Sequence, residues 1–331
     1  ELELRKIESE GQARAAREAY AESLEEPKTA FAEVVIANAD FLELVADGEV
    51  VGHLSLTRKG RLVQVHVAPE RRVEADALFG GVLDSGVVKE AVVSTKDPAF
   101  LSLCLDRQKG MSIDCYLFRK PLKDRPAADG FRAPGFRLAG PEDIGDVRER
   151  CEPAFDGYYE GLVSRDGLFA ARDERGLLGI GELRVLPSHG AKFADIGVHV
   201  VEAFRGAGIG SDIVRDLAAT CARRGLEPLC CCNASNAASK RIIEKAGFAA
   251  AHRLVKVSFR NGPRPAGRGH PGPPRHAWRF LRTRRRSPAP RLDPHPPQSG
   301  LNLIPSALQI RFASFRPSIP QGGSPPPGLT H

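Results

Sequence analysis

The residues best suited to chemistry are Arg205-Gly206-Ala207-Gly208-Ile209-Gly210-Ser211. The apolar run Asp195 to Val201 comes just before them. Ile209, Ile213, Leu217 and Cys221 then recur at every fourth residue, the spacing of one helix face. The segment reads as strand, glycine-rich turn, helix. The first N–H groups of a helix lack intrahelical partners, and its dipole favours negative charge beside them. Glycine carries no Cβ to hold a phosphate away. The expectation is a pyrophosphate cradle, so the remaining elements are read for what they do with it.

A chain of 331 residues with 42% hydrophobic content suggests about two packed domains. No run approaches the roughly 18 apolar residues of a membrane helix. A basic-then-apolar leader pattern is missing, so secretion is not expected. The chain opens at Glu1 rather than Met, inside an expected helix, which points to a truncated start. The seven cysteines are odd in number, and Cys230-Cys231-Cys232 lies in an apolar run. Paired Cys or His at zinc-ligand spacing do not recur, so no metal is expected. A reducing, cytoplasmic setting fits this usage. The net charge of +7 is unevenly spread: residues 260–331 carry twelve Arg and a single acid, Asp293, which leaves the body at −4.

Two units are expected. The first, residues 1–120, reads as a helix over about 5–24, the hairpin 41–56 turning at Asp47-Gly48, a strand over 61–68, a helix over 74–83, a strand over 87–94, a helix over 98–108 and a strand over 111–118. Residues 121–135 read as a linker rich in Pro, Ala and charge. The second unit, 136–259, has a helix starting at Pro141-Glu142-Asp143, a hairpin over 168–186, the strand and glycine turn above, a strand over 228–232, a helix over 237–246 and a strand over 250–259. An offset of 133 places His66-Val67 on His199-Val200 and Arg72 on Arg205, and Lys109-Gly110-Met111 resembles Ala246-Gly247-Phe248. This is an internal duplication. In the first copy Ala75 and Ala77 replace Gly208 and Gly210, with Glu74 and Asp76 beside them. That copy should bind no pyrophosphate, and packing or shaping the substrate cleft is its expected role. Residues 260–331 hold 16 of the 26 prolines and are expected to be disordered. Arg282-Thr283-Arg284-Arg285-Arg286 fits a nucleic-acid patch, but Arg without Lys favours an unselected extension.

The turn Arg205 to Gly210 resembles the R-x-x-G-x-G/A signature of the GNAT N-acetyltransferase superfamily. Asn236-Ala237-Ala238-Ser239 and Glu244-Lys245-Ala246-Gly247-Phe248 resemble that family's second half. The resemblance implies an α/β (α+β) fold of two GNAT-like mixed-sheet units with flanking helices, and acetyl-CoA lying in a gap between two splayed strands. It implies that main-chain groups of Val198, His199 and Val200 meet the pantetheine arm, that the amides of Arg205, Gly206, Ala207, Gly208, Ile209, Gly210 and Ser211 hold the pyrophosphate, and that Asn236 and Ser239 face the cofactor chain. The activity implied is direct transfer of an acetyl group to a small-molecule or peptide primary amine in a ternary complex.

Such transfer needs a proton acceptor, an oxyanion donor and a proton for the thiolate. Asp195, on the cleft strand, is the expected base, where the first copy has Leu62. His199 is an alternative, although its twin His66 persists in the inactive copy. Many relatives carry a Tyr where Ile243 stands, and isoleucine donates no proton. Tyr158-Tyr159 lies in the helical region bordering the acceptor cleft. The rival reading is a non-catalytic acyl-CoA-binding or sensing module. The acidic body leans toward a cationic acceptor.

Overall fold

The computed structural model describes residues 2–7, 9–120, 131–151 and 156–260. Most of the expected linker and nearly all of the tail lie outside them. The first half runs β1 (Leu2–Lys6), α1 (Glu10–Glu22), α2 (Ala30–Ala37), β2 (Asp40–Ala46), β3 (Glu49–Leu56), β4 (Arg61–Val67), α3 (Ala75–Asp84), β5 (Glu90–Ser94), α4 (Pro98–Arg107) and β6 (Gln108–Arg119). The second half runs β7 (Arg137–Leu138), α5 (Ile144–Arg150), α6 (Tyr158–Val163), β8 (Leu168–Asp173), β9 (Gly176–Leu186), β10 (Phe193–Val200), α7 (Ile209–Arg223), β11 (Glu227–Asn233), α8 (Ala237–Lys245) and β12 (Ala249–Phe259). This is a mixed α/β architecture.

The start of the chain differs from expectation. Residues 2–6 form a strand, because Leu2 and Leu4 alternate onto the core when paired with Ala46 and Leu44 of β2. The helix begins only after Ser9, whose hydroxyl accepts from the Gln12 N–H. Helix α2 has no counterpart among the expected elements. Thr29, itself buried, caps it by accepting from the Ala32 N–H. The hairpin at Asp47-Gly48 is as read, with both residues at positive φ. Gly110 lies inside β6, whereas Gly247 follows α8 at φ +89°. The likeness between 109–111 and 246–248 is therefore one of sequence and not of position.

All twelve strands join one sheet in the order β1-β2-β3-β4-β5-β12-β6-β11-β10-β9-β8-β7. The two halves have exchanged their last strands. β12, from the second half, lies between β5 and β6, and β6, from the first, lies between β12 and β11. The registers obey a two-fold relation at an offset of 138 residues. Arg119 faces Leu229 as Val257 faces Ala91, and the adjacent pairs Tyr116–Arg253 and Cys115–Leu254 straddle the pseudo-axis.

In the second half, α7 and α8 cover one face of the sheet. Ile209, Ile213, Leu217 and Cys221 pack there with Ala194, Ile196, Cys230, Cys232, Ile243 and Phe248. Val147, Tyr159 and Leu162, from α5 and α6, cover the other face against Leu168, Ala170, Leu177 and Ile180. β10 and β11 are parallel neighbours only from Phe193 to Asp195. Beyond Asp195, β10 stays paired with β9 and separates from β11. The first half repeats this divergence: β4 and β5 pair only at Arg61 and Leu62.

Candidate active site

At the helix end of the gap, Gly206 and Gly208 both sit at φ +88°, and a Cβ on either would point into open space. Glycine is needed here for backbone conformation, which L side chains rarely adopt. The N–H groups of Gly206 to Gly210 find no main-chain acceptor among the described residues. The run of free amides stops there, because Ser211 donates both its N–H and its hydroxyl to the Gly208 carbonyl. Gly210 acts through packing instead. A Cβ there would come within 3.0 Å of Ile242 and 3.1 Å of Val200, so its absence lets α8 and β10 close on α7. Arg205 is exposed, and its Nε donates to the Val200 carbonyl at 3.2 Å.

Strand alternation decides which main-chain groups line the gap. Val201 donates its N–H to Leu178 on β9, so odd-numbered residues turn their amides and carbonyls toward β9. Those of Val198 and Val200 turn to the gap. His199 is thereby corrected: its carbonyl lies against Gly179, where a Cβ would stand 2.7 Å away, and it serves the β9 ladder. Gly52 packs in the same way on the carbonyl of His66, the twin residue. Asn236 caps α8, its Oδ1 accepting from the Ser239 N–H at 2.9 Å.

The sheet face opposite α7 carries side chains that sequence reasoning missed. Glu182 and Arg184 lie on β9 opposite Gly197 and Asp195. Tyr158, at the start of α6, donates its hydroxyl to Glu182 Oε2 at 2.7 Å. Arg184 donates to both, 2.7 Å to the tyrosine oxygen and 3.0 Å to the carboxylate. Gly197 makes room, since a Cβ there would stand 3.0 Å from Glu182 Oε2. Burial, reinforced by the Glu182 charge, raises the Tyr158 phenol, which stays a donor. Tyr159 turns the other way, into the core, and donates to the Cys151 carbonyl. The signal available was a pair of charges two residues apart, hence on one face, in a strand otherwise rich in Leu, Ile and Gly.

Asp195, the expected base, stands at the last pair that joins β10 to β11. It is 3% exposed, and its Oδ2 accepts from the Ala30 N–H of α2, in the first half, at 2.9 Å. Arg184 Nη2 stands 4.0 Å away. Burial drives its carboxyl above the ordinary range.

The first half differs at the matching positions. Ser55, Gln64 and Leu62 stand where the second half has Glu182, Gly197 and Asp195. Arg71 pairs with Glu74, and Arg107 with Asp76, at the start of α3. Tyr20 of α1 fills the corresponding face, meeting His53 edge-on and His66 at a tilt and donating to Asp97 at 2.7 Å. Burial pushes the His53 imidazole down to about 4. Its unfolded pKa is about 6.5. Stability from the neutral ring is thus fully present above pH 6.5 and is lost as pH falls toward 4. The limit is about 3 kcal/mol. Thermal midpoints at pH 7 and pH 4.5 should differ less in His53→Phe than in the wild type. An equal drop would remove His53 from the acid response.

Among the described residues, no group of three or more His, Cys, Asp or Glu could hold a metal ion, and no helix is long and apolar enough to cross a membrane.

Residues 10–121 match the acetyltransferase (GNAT) domain family and residues 136–248 the acetyltransferase (GNAT) family. With both matches carried on one sheet, the chain belongs to the GNAT acetyltransferases, as a tandem protein with two such domains. A GNAT-family acetyltransferase from Colwellia psychrerythraea is 25% identical over 78% of this chain and 100% of its own, at a TM-score of 0.70. A tandem GNAT protein from the clavulanic acid biosynthesis pathway shares the fold at 17% identity and a TM-score of 0.54, over 80% of this chain and 100% of its own. A GCN5-related N-acetyltransferase from Sphaerobacter thermophilus does so at 18% and 0.51, over 79% of this chain and 97% of its own. No curated protein matches the chain.

Proposed function

We propose that the second half binds acetyl-CoA between β10 and β11 and transfers its acetyl group to a primary amine. The observation that carries this is the run of free amides from Gly206 to Gly210 at the mouth of the gap. The pyrophosphate lies on those amides, with Asn236 and Ser239 at the start of α8 alongside the pantetheine arm. The thioester reaches the sheet where Val198 and Val200 present main-chain groups.

The amine nitrogen attacks the thioester carbon, forming the C–N bond, while the carbonyl electrons move to oxygen. A β10 amide stabilises that oxyanion. Collapse breaks the C–S bond and releases CoA as thiolate. Before attack, Glu182, fixed by Tyr158 and Arg184, takes one proton from the arriving ammonium and frees its lone pair. The second nitrogen proton passes through water to the departing thiolate, because Ile243 is a core residue without one to give. The net charge of −4 on residues 1–259 suits an acceptor that arrives as a cation.

A primary-amine panel read by CoA release tests the reaction. Glu182→Gln should lower kcat about 100-fold, the lower end of what a general base supplies, with the KM for acetyl-CoA held. Unchanged kcat would remove Glu182 from proton transfer. The second reading, a non-catalytic acyl-CoA sensor, is favoured by the burial of Ile243. It prevails if acetyl-CoA binds by calorimetry and no amine releases CoA.

A further inference from the structure

We propose that the first half sets the width of the acyl-CoA gap in the second, through the hydrogen bond from the Ala30 N–H to Asp195, so that Asp195 is a positioning residue. This rests on the reading of the gap as the acyl-CoA site.

Asp195 is the last residue at which β10 still pairs with β11. Whatever holds it fixes the vertex from which the two strands diverge. Its holder comes from the other half. Ala30, the first helical residue of α2, donates to its carboxylate at 2.9 Å and packs on Leu186, Phe193 and Leu229 around the vertex. The same segment is tied down on both sides. The Glu22 carboxylate accepts from the His189 N–H at 2.6 Å, the His189 ring meets the Leu24 carbonyl at 2.8 Å, and Ser188 donates to Glu33 at 3.4 Å. Residues 22–33 therefore form a wedge pressed on the base of β10. The twin vertex in the first half has Leu62, which can accept no such bond. The dock belongs to the half that carries the free amides. The first half has lost its own cradle but still holds its neighbour's open.

Ala30→Pro removes the donor and sets a ring carbon where its hydrogen pointed, so the Asp195 carboxyl is also pushed off that position. Proline is well tolerated at the first helical position, and Thr29 before it is already extended (φ −69°, ψ 154°), as a residue preceding proline must be. In the full chain, Ala30→Pro should raise the Kd for acetyl-CoA about tenfold by calorimetry, with the KM in the CoA-release assay rising in step. Asp195→Leu should do the same. Asp195→Asn keeps an oxygen acceptor and should stay within about threefold of wild type. The double variant Ala30→Pro, Asp195→Leu should be no worse than either single variant, because both break one bond. The proposal is overturned if Ala30→Pro binds as wild type, if Asp195→Asn is as impaired as Asp195→Leu, or if the single effects add. Should wild type bind acetyl-CoA but release no CoA with any amine, the acyltransferase reading falls and calorimetry still decides the dock. Should wild type bind no acetyl-CoA, the reading of the gap falls and takes this proposal with it.

Discussion

Gly208→Glu should abolish acetyl-CoA binding while leaving the protein folded. The position is open, so a Cβ meets no neighbour, and the fold pays chiefly for a non-glycine residue at φ +88°. That strain is about 1–2 kcal/mol. The functional loss is much larger, because a carboxylate is set among the amides that would receive the pyrophosphate. A fall of at least 100-fold in affinity is expected by calorimetry. Gly208→Ala separates the two effects, since it carries the same strain without the charge and should lose only severalfold. If the Glu variant bound acetyl-CoA as well as the Ala variant, the free amides would not be the anion site. Gly210→Ala differs in kind: it presses Ile242 of α8 and Val200 of β10 away from α7, and its cost should appear in the thermal midpoint.

Ending the chain at residue 248, where the second family match stops, should unfold both halves. The strand removed, β12, pairs with β5 of the first half and with β6, which itself completes the second. It buries Leu254, Val255, Val257 and Phe259. At about 1.5–3 kcal/mol each, these four side chains contribute roughly 6–12 kcal/mol. The whole stability of a domain is about 5–15 kcal/mol. Hydrogen exchange should show lost protection in β5 and β11 alike. A chain ending at 260 should melt as the full-length protein does. A cooperative, unshifted transition in the shorter chain would show that the exchanged strands are dispensable.

The glycine turn, the apolar face of α7 and the Asp47-Gly48 hairpin were legible because each is a local pattern with one physical solution. The duplication was legible for the same reason, through residues held at a fixed offset. The exchange of β6 and β12 was not. Each reads as an ordinary strand, and its partner is chosen by contacts across the whole chain. β1 escapes a local reading because five residues with apolar positions at Leu2 and Leu4 suit a strand as well as part of a helix. Asp195 stands out correctly as unusual, but its partner lies 165 residues away, so the sequence could not distinguish a base from a dock. Glu182 and Arg184 carried a signal, two charges on one face of an apolar strand, whose meaning depended on Tyr158 arriving from α6.

The crossed strands also limit what evolution can remove. The first half has lost its cradle and filled its acceptor face with Tyr20. A single-domain protein could discard such a unit. Here, discarding it would strip β6 from the flank of β11 and leave a row of unpaired amides and carbonyls in the middle of the second half. An exposed edge of that kind pairs with other chains and aggregates. The first copy is thus free to drift in chemistry but tied in backbone. Substitutions should accumulate around His53 and Asp76 far more readily than along β6, where every change is felt by both halves.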